Sequence, residues 1–248
     1  MTDEPNIATP AALIGDPTRA AMMLALFDGR AQPAGALAQA AGVSAQVASN
    51  HLAKLVGGAL LSVETEGRHR YYRLAGAPVA GALEALTALA SPLRVERLRS
   101  PKARELQFAR CCYDHLAGNL GVAVAATLER RGHILSKPGE AAAGKLLAIS
   151  AAGHRWLQDI GVASGQLKPG KRGVARRCLD WTERRHHVAG PLGRALLERF
   201  CEEGWLVRRQ GSRGLRVTPK GAKGFREHFE IDVGAGAGAA RQERGKAA

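Results

Sequence analysis

Between Ile14 and Leu74, apolar residues recur at helical spacing in three short runs and then switch to strand-like alternation. Asp16-Pro17 opens the first run, which is apolar at Ala20, Met23, Leu24 and Phe27 and closes at Gly29. Proline early and glycine past the end is the asymmetry expected of a helix. Pro33 to Ala41 forms the second run. Gly42-Val43-Ser44 then makes a tight turn, with Ser44 set to cap a third helix over Ala45 to Val56. The inward stripe of that helix is read as Ala48, Leu52, Leu55 and Ala59. Two helices joined by a glycine-containing turn make the helix-turn-helix pattern. Ser62 to Thr65 and Arg68 to Leu74 alternate on either side of Glu66-Gly67, which predicts a β-hairpin with a basic return strand.

The remaining chain divides by composition. Residues 1–10 read as a flexible arm, and residues 11–90 hold the helices and hairpin just described. Residues 91–105 form a charged connector, 106–232 a second domain, and 233–248 a disordered tail rich in Gly and Ala. Inside the second domain HLAGNLG (115–121) and HVAGPLG (187–193) stand 72 residues apart, each followed by an apolar helical run that ends at Gly132 or Gly204. A β-like segment and another helix come next in both places. This order predicts an internal duplication near 112–161 and 178–229, two units stacked to bury faces that neither covers alone. The expected fold class is mainly α with small β-hairpins. A winged helix-turn-helix precedes a helical C-terminal domain of two pseudo-repeats.

The third helix has a second, polar and short-sided face at Gln46, Ser49, Asn50 and Ala53, where Gln and Asn can pair bidentately with adenine in a major groove. Lys54 suits a phosphate. A hairpin placed directly after such a helix is a wing, whose Arg68, His69 and Arg70 can reach phosphates or the minor groove. With Ser44 and His51 these residues are the candidate contacts to double-stranded DNA. Three segments, LIGDPTRAAMMLALFDG (13–29), VSAQVASNHLAKLVGGALL (43–61) and GRHRYYRL (67–74), resemble the ArsR/SmtB family of winged-helix repressors over the first third of the chain. The resemblance implies a homodimer joined through the first and last helices of that domain, Ala11 to Leu26 and Pro78 to Ala90. It also implies operator binding that a ligand relieves. The metal-sensing members carry a cysteine motif that would fall near Ala36 to Ala41 and an Asp/His pair that would fall near Val79 to Leu89. This chain has neither, so any sensor belongs to the second domain.

Charge bears on the partner. The formal net charge is +14, which for a chain without a signal-like or membrane-spanning stretch points to a polyanion and to a cytoplasmic protein. Yet residues 1–90 hold 6 Lys+Arg against 7 Asp+Glu, so the excess lies beyond them. All four cysteines do too. Two clusters precede the repeated motif: Cys112, Tyr113, Asp114 and His115, then Cys178, Asp180, Trp181, His186 and His187. Cys112, His115, Cys178 and His187 are a ligand set for Zn²⁺ or another thiophilic metal or metalloid, with Asp114, Asp180 or His186 as further ligands or supports. Tyr113 and Trp181 fit an organic effector pocket equally well, and a purely structural role for the thiols stays open. No catalytic residues are assigned. A thiol–imidazole enzyme lacks any accompanying substrate motif, and a ligand-independent architectural DNA-binding protein is the other alternative.

Overall fold

Asp16 lies in extended backbone and accepts a hydrogen bond from Arg19 N at 2.9 Å, and Pro17 follows it. That cap breaks the first helical stretch in two, α1 (Ala8–Ile14) and α2 (Pro17–Ala25), and the Arg19 guanidinium returns to cap the α1 carbonyls of Leu13 and Ala12. The computed structural model describes residues 5–67, 69–89, 101–137, 144–169, 173–209 and 212–233. It divides into two units, Met1–Ser91 and Pro92 onward, with Gly211–Arg213 grouped with the first. No helix among the described residues is long and apolar enough to cross a membrane.

In the first unit α2 is followed by β1 (Gln32–Pro33), α3 (Ala34–Ala41), α4 (Ala45–Gly57), β2 (Leu61–Glu66), β3 (His69–Leu74) and α5 (Ala77–Leu89). The end of the expected arm is thus helical from Ala8. The core of α2 is Met22, Met23, Leu26 and Phe27, whereas the expected Ala20 and Leu24 are only half-buried. Leu26 N bonds Met23 O as well as Met22 O, which tightens the last turn. Gly42, left-handed at φ 67°, ends α3. Leu37 and Ala38 of α3 meet Ala48, Leu52 and Leu55 of α4, over which the wing lays Leu60, Leu61, Tyr72 and Leu74. Ala59, expected in the inward stripe, is exposed because α4 stops at Gly57 and Ala59 turns left-handed at φ 54°. The three strands run antiparallel in the order β1-β3-β2.

The second unit runs α6 (Pro101–Phe108), β4 (Arg110–Cys112), β5 (His115–Ala117), α7 (Gly118–Arg130), β6 (Ile134–Ser136), β7 (Leu146–Ile149) and α8 (Ala151–Asp159). Then come β8 (Ala175–Leu179), β9 (His186–Ala189), α9 (Pro191–Glu202), β10 (Leu206–Arg208), β11 (Leu215–Val217) and α10 (Pro219–Phe229). From β4, one order of hairpin, helix, hairpin, helix is traversed twice. The helix of the expected connector begins at Pro101; residues 91–100, and the tail from 234, lie outside the described residues.

The correspondence extends to single atoms. Ser150 caps α8 and donates to Gly132 O at 2.7 Å, and Thr218 caps α10 and donates to Gly204 O at 2.7 Å. The repeated glycine motif is explained by close approach: a Cβ at Gly121 would stand 2.6 Å from Leu116 O, and one at Gly193 2.3 Å from Val188 O. Each helix therefore folds back onto the strand before it only if that position is glycine. Strand pairing is exchanged between the halves. β8 of the second half pairs with β7 of the first, completing a four-stranded sheet β6-β7-β8-β9 that the sequence pattern does not convey. Reciprocally, Arg110 on β4 bridges Gly214 beside β11. Leu120, Val124, Leu128, Leu192, Leu196 and Phe200, from α7 and α9, share one core with Trp205, Phe225 and Phe229.

Candidate nucleic-acid interface and a buried Cys–His cluster

Ser44 caps α4, accepting from Val47 N at 3.3 Å, and so sets the angle at which the helix leaves the turn. Gln46, Ser49, Asn50, Ala53 and Lys54 are all exposed along one side of it, opposite the buried stripe. His51 does not join that ridge. It is half-buried, its Nδ1 3.6 Å from Asp16 Oδ1 at the start of α2, because the helical period carries it round toward the neighbouring helix. Val47, 41% exposed on the same flank as Asn50, is the position that a search for polar side chains passes over.

In the wing, β2 and β3 are in register from Leu61↔Leu74 to Glu66↔His69. His69 and Arg70 are exposed near the tip, and Arg68 lies outside the described residues. The outgoing strand carries two acids, and Glu64 is neutralised by an ion pair to Arg73.

Chemistry in the second unit is internal. The two-residue turn Tyr113-Asp114 sets Cys112 opposite His115 across β4 and β5, and the longer loop between β8 and β9 sets Cys178 opposite His187. The hairpins place these cross-strand pairs against each other. Cys112 Sγ is 4.0 Å from Cys178 Sγ, and His115 Nε2 is 3.1 Å from His187 Nε2. One ligand atom from each of the four residues lies within 4.8 Å of all the others, and all four residues are buried. Cys111 points the other way, into the apolar core, as strand alternation requires, and Arg208 donates to its Sγ at 3.0 Å. His186 is exposed for the same reason and stands apart from the cluster. Cys201 is half-buried, and burial pushes its thiol up.

Both candidate carboxylates sit behind the imidazoles. Asp114 Oδ1 is 3.0 Å from His115 Nδ1, and Asp180 Oδ2 is 3.3 Å from His187 Nδ1. Asp114 is gripped by Arg194 Nη2 at 2.6 Å. Asp180 accepts from Arg110 Nη2 at 2.8 Å on each of its oxygens, from Gly118 N at 2.7 Å and from Thr182 Oγ1 at 2.6 Å. Arg110, 1% exposed, is the residue the sequence reading missed; a lone arginine inside the apolar run Phe108 to Cys112 is the signal that could have found it. Its guanidinium also lies 4.7 Å over the Trp181 ring, while Tyr113 occupies the turn at φ 59°.

Burial opposes a charged imidazole at His115, but the Cys112 thiolate and the Asp114 carboxylate push it up to about 9. The Cys112 thiol is held well below its ordinary range, chiefly by the hydrogen bond from Cys178, with His115 and His187 adding to it against burial. Burial likewise opposes the Asp180 carboxylate, yet His187, Arg110 and Thr182 hold it far below the carboxylate range. The arrangement is a cluster of two sulfurs and two imidazoles enclosed by protein. It lacks the exposure an attacking nucleophile needs.

Residues 14–64 match the model of a helix-turn-helix domain family. The uncharacterized HTH-type transcriptional regulator YdfF of Bacillus subtilis (strain 168) is 42% identical over 230 residues, 92% of this chain and 99% of YdfF. An alignment that long runs through both units. Among solved structures, NolR from Sinorhizobium fredii is 25% identical with a TM-score of 0.32, covering 36% of this chain and 96% of its own. The homodimeric winged helix-turn-helix DNA-binding domain of Mycobacterium bovis Mb0332, described as a possible ArsR-family regulator, is also 25% identical with a TM-score of 0.32, covering 36% of this chain and 89% of its own.

Proposed function

Because this chain belongs to the HTH-type transcriptional regulators and carries a winged helix-turn-helix of the ArsR/SmtB kind, we propose that it binds a palindromic operator in double-stranded DNA as a homodimer. An effector taken up by the second unit sets its affinity. The observation that carries the reading is the ridge of Gln46, Ser49 and Asn50, left open to solvent on α4 beside the basic wing. Gln46 and Asn50 read adenine edges, Val47 packs on a thymine methyl, and Lys54, His69, Arg70 and Arg68 hold phosphates. His51 serves the fold rather than the groove.

Dimerisation is supported by apolar side chains left exposed among the described residues. α1 buries no residue, Ile7 before it is 76% exposed, and Leu86 and Leu89 of α5 are exposed too. A two-fold pairing through these helices would present two recognition helices one helical turn of DNA apart. An operator reader of this kind works beside the chromosome, in the cytoplasm of a bacterial cell. It acts as a repressor that the effector releases, as the family resemblance implies. The effector belongs to the second unit because the family's metal-binding positions in the first unit carry neither Cys nor His.

Fluorescence anisotropy on fragments of the chain's own promoter tests this. Binding should tighten on one fragment, weaken steeply with salt, and lose sequence preference in Ser49→Ala/Asn50→Ala. Equal affinity for unrelated duplexes, or indifference to those substitutions, sinks the reading.

A further inference from the structure

We infer that Cys112, His115, Cys178 and His187 form a closed four-coordinate site for a borderline divalent d¹⁰ cation, with Zn²⁺ as the reference ion, on the seam where the two halves of the second unit meet. Each half contributes one cysteine and one histidine from equivalent places on its first hairpin. The pairs meet because the seam brings β5 and β9 together, so the four donors come from residues up to 75 apart in the chain and none of the usual short-spaced zinc signatures is present.

Three observations carry the inference. The first is spacing. Zinc–sulfur bonds of about 2.3 Å and zinc–nitrogen bonds of about 2.0–2.1 Å give tetrahedral edges of about 3.8 Å between sulfurs and about 3.3 Å between nitrogens. The separations here are 4.0 Å and 3.1 Å.

The second is orientation. Both histidines turn Nδ1 toward a carboxylate, at 3.0 Å and 3.3 Å, which leaves both Nε2 atoms facing inward, the direction a metal ligand needs. Each carboxylate is braced from the opposite half: Asp114 of the first by Arg194 of the second, Asp180 of the second by Arg110 and Gly118 N of the first. The supports of the site therefore repeat the two-fold exchange of the strands.

The third is burial. Two imidazole nitrogens 3.1 Å apart, with two thiols beside them and solvent excluded, must otherwise share protons among four donors. A cation satisfies all four lone pairs at once. The sulfurs stand at about twice the length of a disulfide bond, so the pair is not one. Four protein ligands and no open position make a site that holds a fold or reports an ion, not one that activates water.

Service of this site as the effector site rests on the regulator reading above; its occupancy does not. The test uses the full chain, purified under reducing conditions, stripped with a chelator and titrated with Co²⁺. One Co²⁺ per chain is expected, with the intense visible bands of tetrahedral coordination and a thiolate-to-cobalt band in the near ultraviolet, both bleached by one equivalent of Zn²⁺. Cys112→Ser and Cys178→Ser should each weaken binding and roughly halve the thiolate band, and the two together should remove it. Asp114→Asn removes a positioning residue and spares every ligand, so it should keep the bands and weaken affinity about 10–100-fold, with recovery in Asp114→Glu. His186→Ala, one residue from a ligand but outside the cluster, should change nothing. Less than half an equivalent of bound ion, bands that survive Cys112→Ser together with Cys178→Ser, equal loss in His186→Ala, or a Cys112–Cys178 disulfide in the reduced preparation would each overturn the site. None of these readouts involves DNA, so failure here and failure of operator binding are seen separately.

Discussion

The two units place their polar chemistry on opposite sides of the solvent boundary. In the first, Gln46, Ser49, Asn50 and Lys54 stand outside on a helix that buries only Ala48, Leu52 and Leu55. In the second, His115, His187, Asp180 and Arg110 are inside. An exposed ridge costs the fold little, since water satisfies it until a nucleic acid replaces the water. An interior cluster must be satisfied by the protein itself, and that is why Asp180 is paired with Arg110, and His115 with His187, across the two halves. The contrast also explains where the arginines went. Arg110, Arg177 and Arg194 of the second unit each pair with an acid distant in sequence, so these three arginines brace the fold, and the unit's excess of positive charge is carried by others.

The largest effect expected from this contrast is in the interior. Arg110→Ala leaves the Asp180 carboxylate buried against a lost partner and should destabilise the second unit by about 3–5 kcal/mol, with Asp180→Asn in the same chain recovering part of it. Chemical denaturation monitored by the tryptophans, all three of which lie in the second unit, reads this directly. Leu52→Ala, at a fully buried position of α4, should cost the first unit about 2–5 kcal/mol and abolish operator binding while leaving Co²⁺ uptake intact. Loss of both would break the separation of roles.

Loading with Zn²⁺ should change operator affinity by about 1–3 kcal/mol, roughly 5–150-fold, in anisotropy titrations, and Cys178→Ser should erase the difference. Asn50→Ala should lose about 1–3 kcal/mol of discrimination at one base pair, whereas Arg70→Ala should weaken all sequences alike and lower the salt slope by about one. The smallest expected change is Ser44→Ala, about 1 kcal/mol of first-unit stability from a lost helix cap.

Much of the first unit was legible because its signals are local. The Asp16, Gly42 and Ser44 punctuation and the Gly67 turn act over a few residues, and each sits where the pattern put it. The failures are local as well, at helix ends. The early stop of α4 moved Ala59 off the inward face, Leu24 is only half-buried, and the helical period carries His51 round to Asp16. The histidine motif of the second unit was legible as a repeat, since close packing at Gly121 and Gly193 imposes the same residue twice.

By itself the sequence determined the helices, their caps, the wing and the repeated order of elements, because periodicity and turn chemistry are properties of neighbours along the chain. Only the tertiary structure decided that Cys112 reaches Cys178 across 66 residues, that Arg110 closes on Asp180, and that the halves exchange strands into a four-stranded sheet. Those meetings follow from how two apolar faces cover each other about a shared seam, and no local pattern encodes the geometry of that seam.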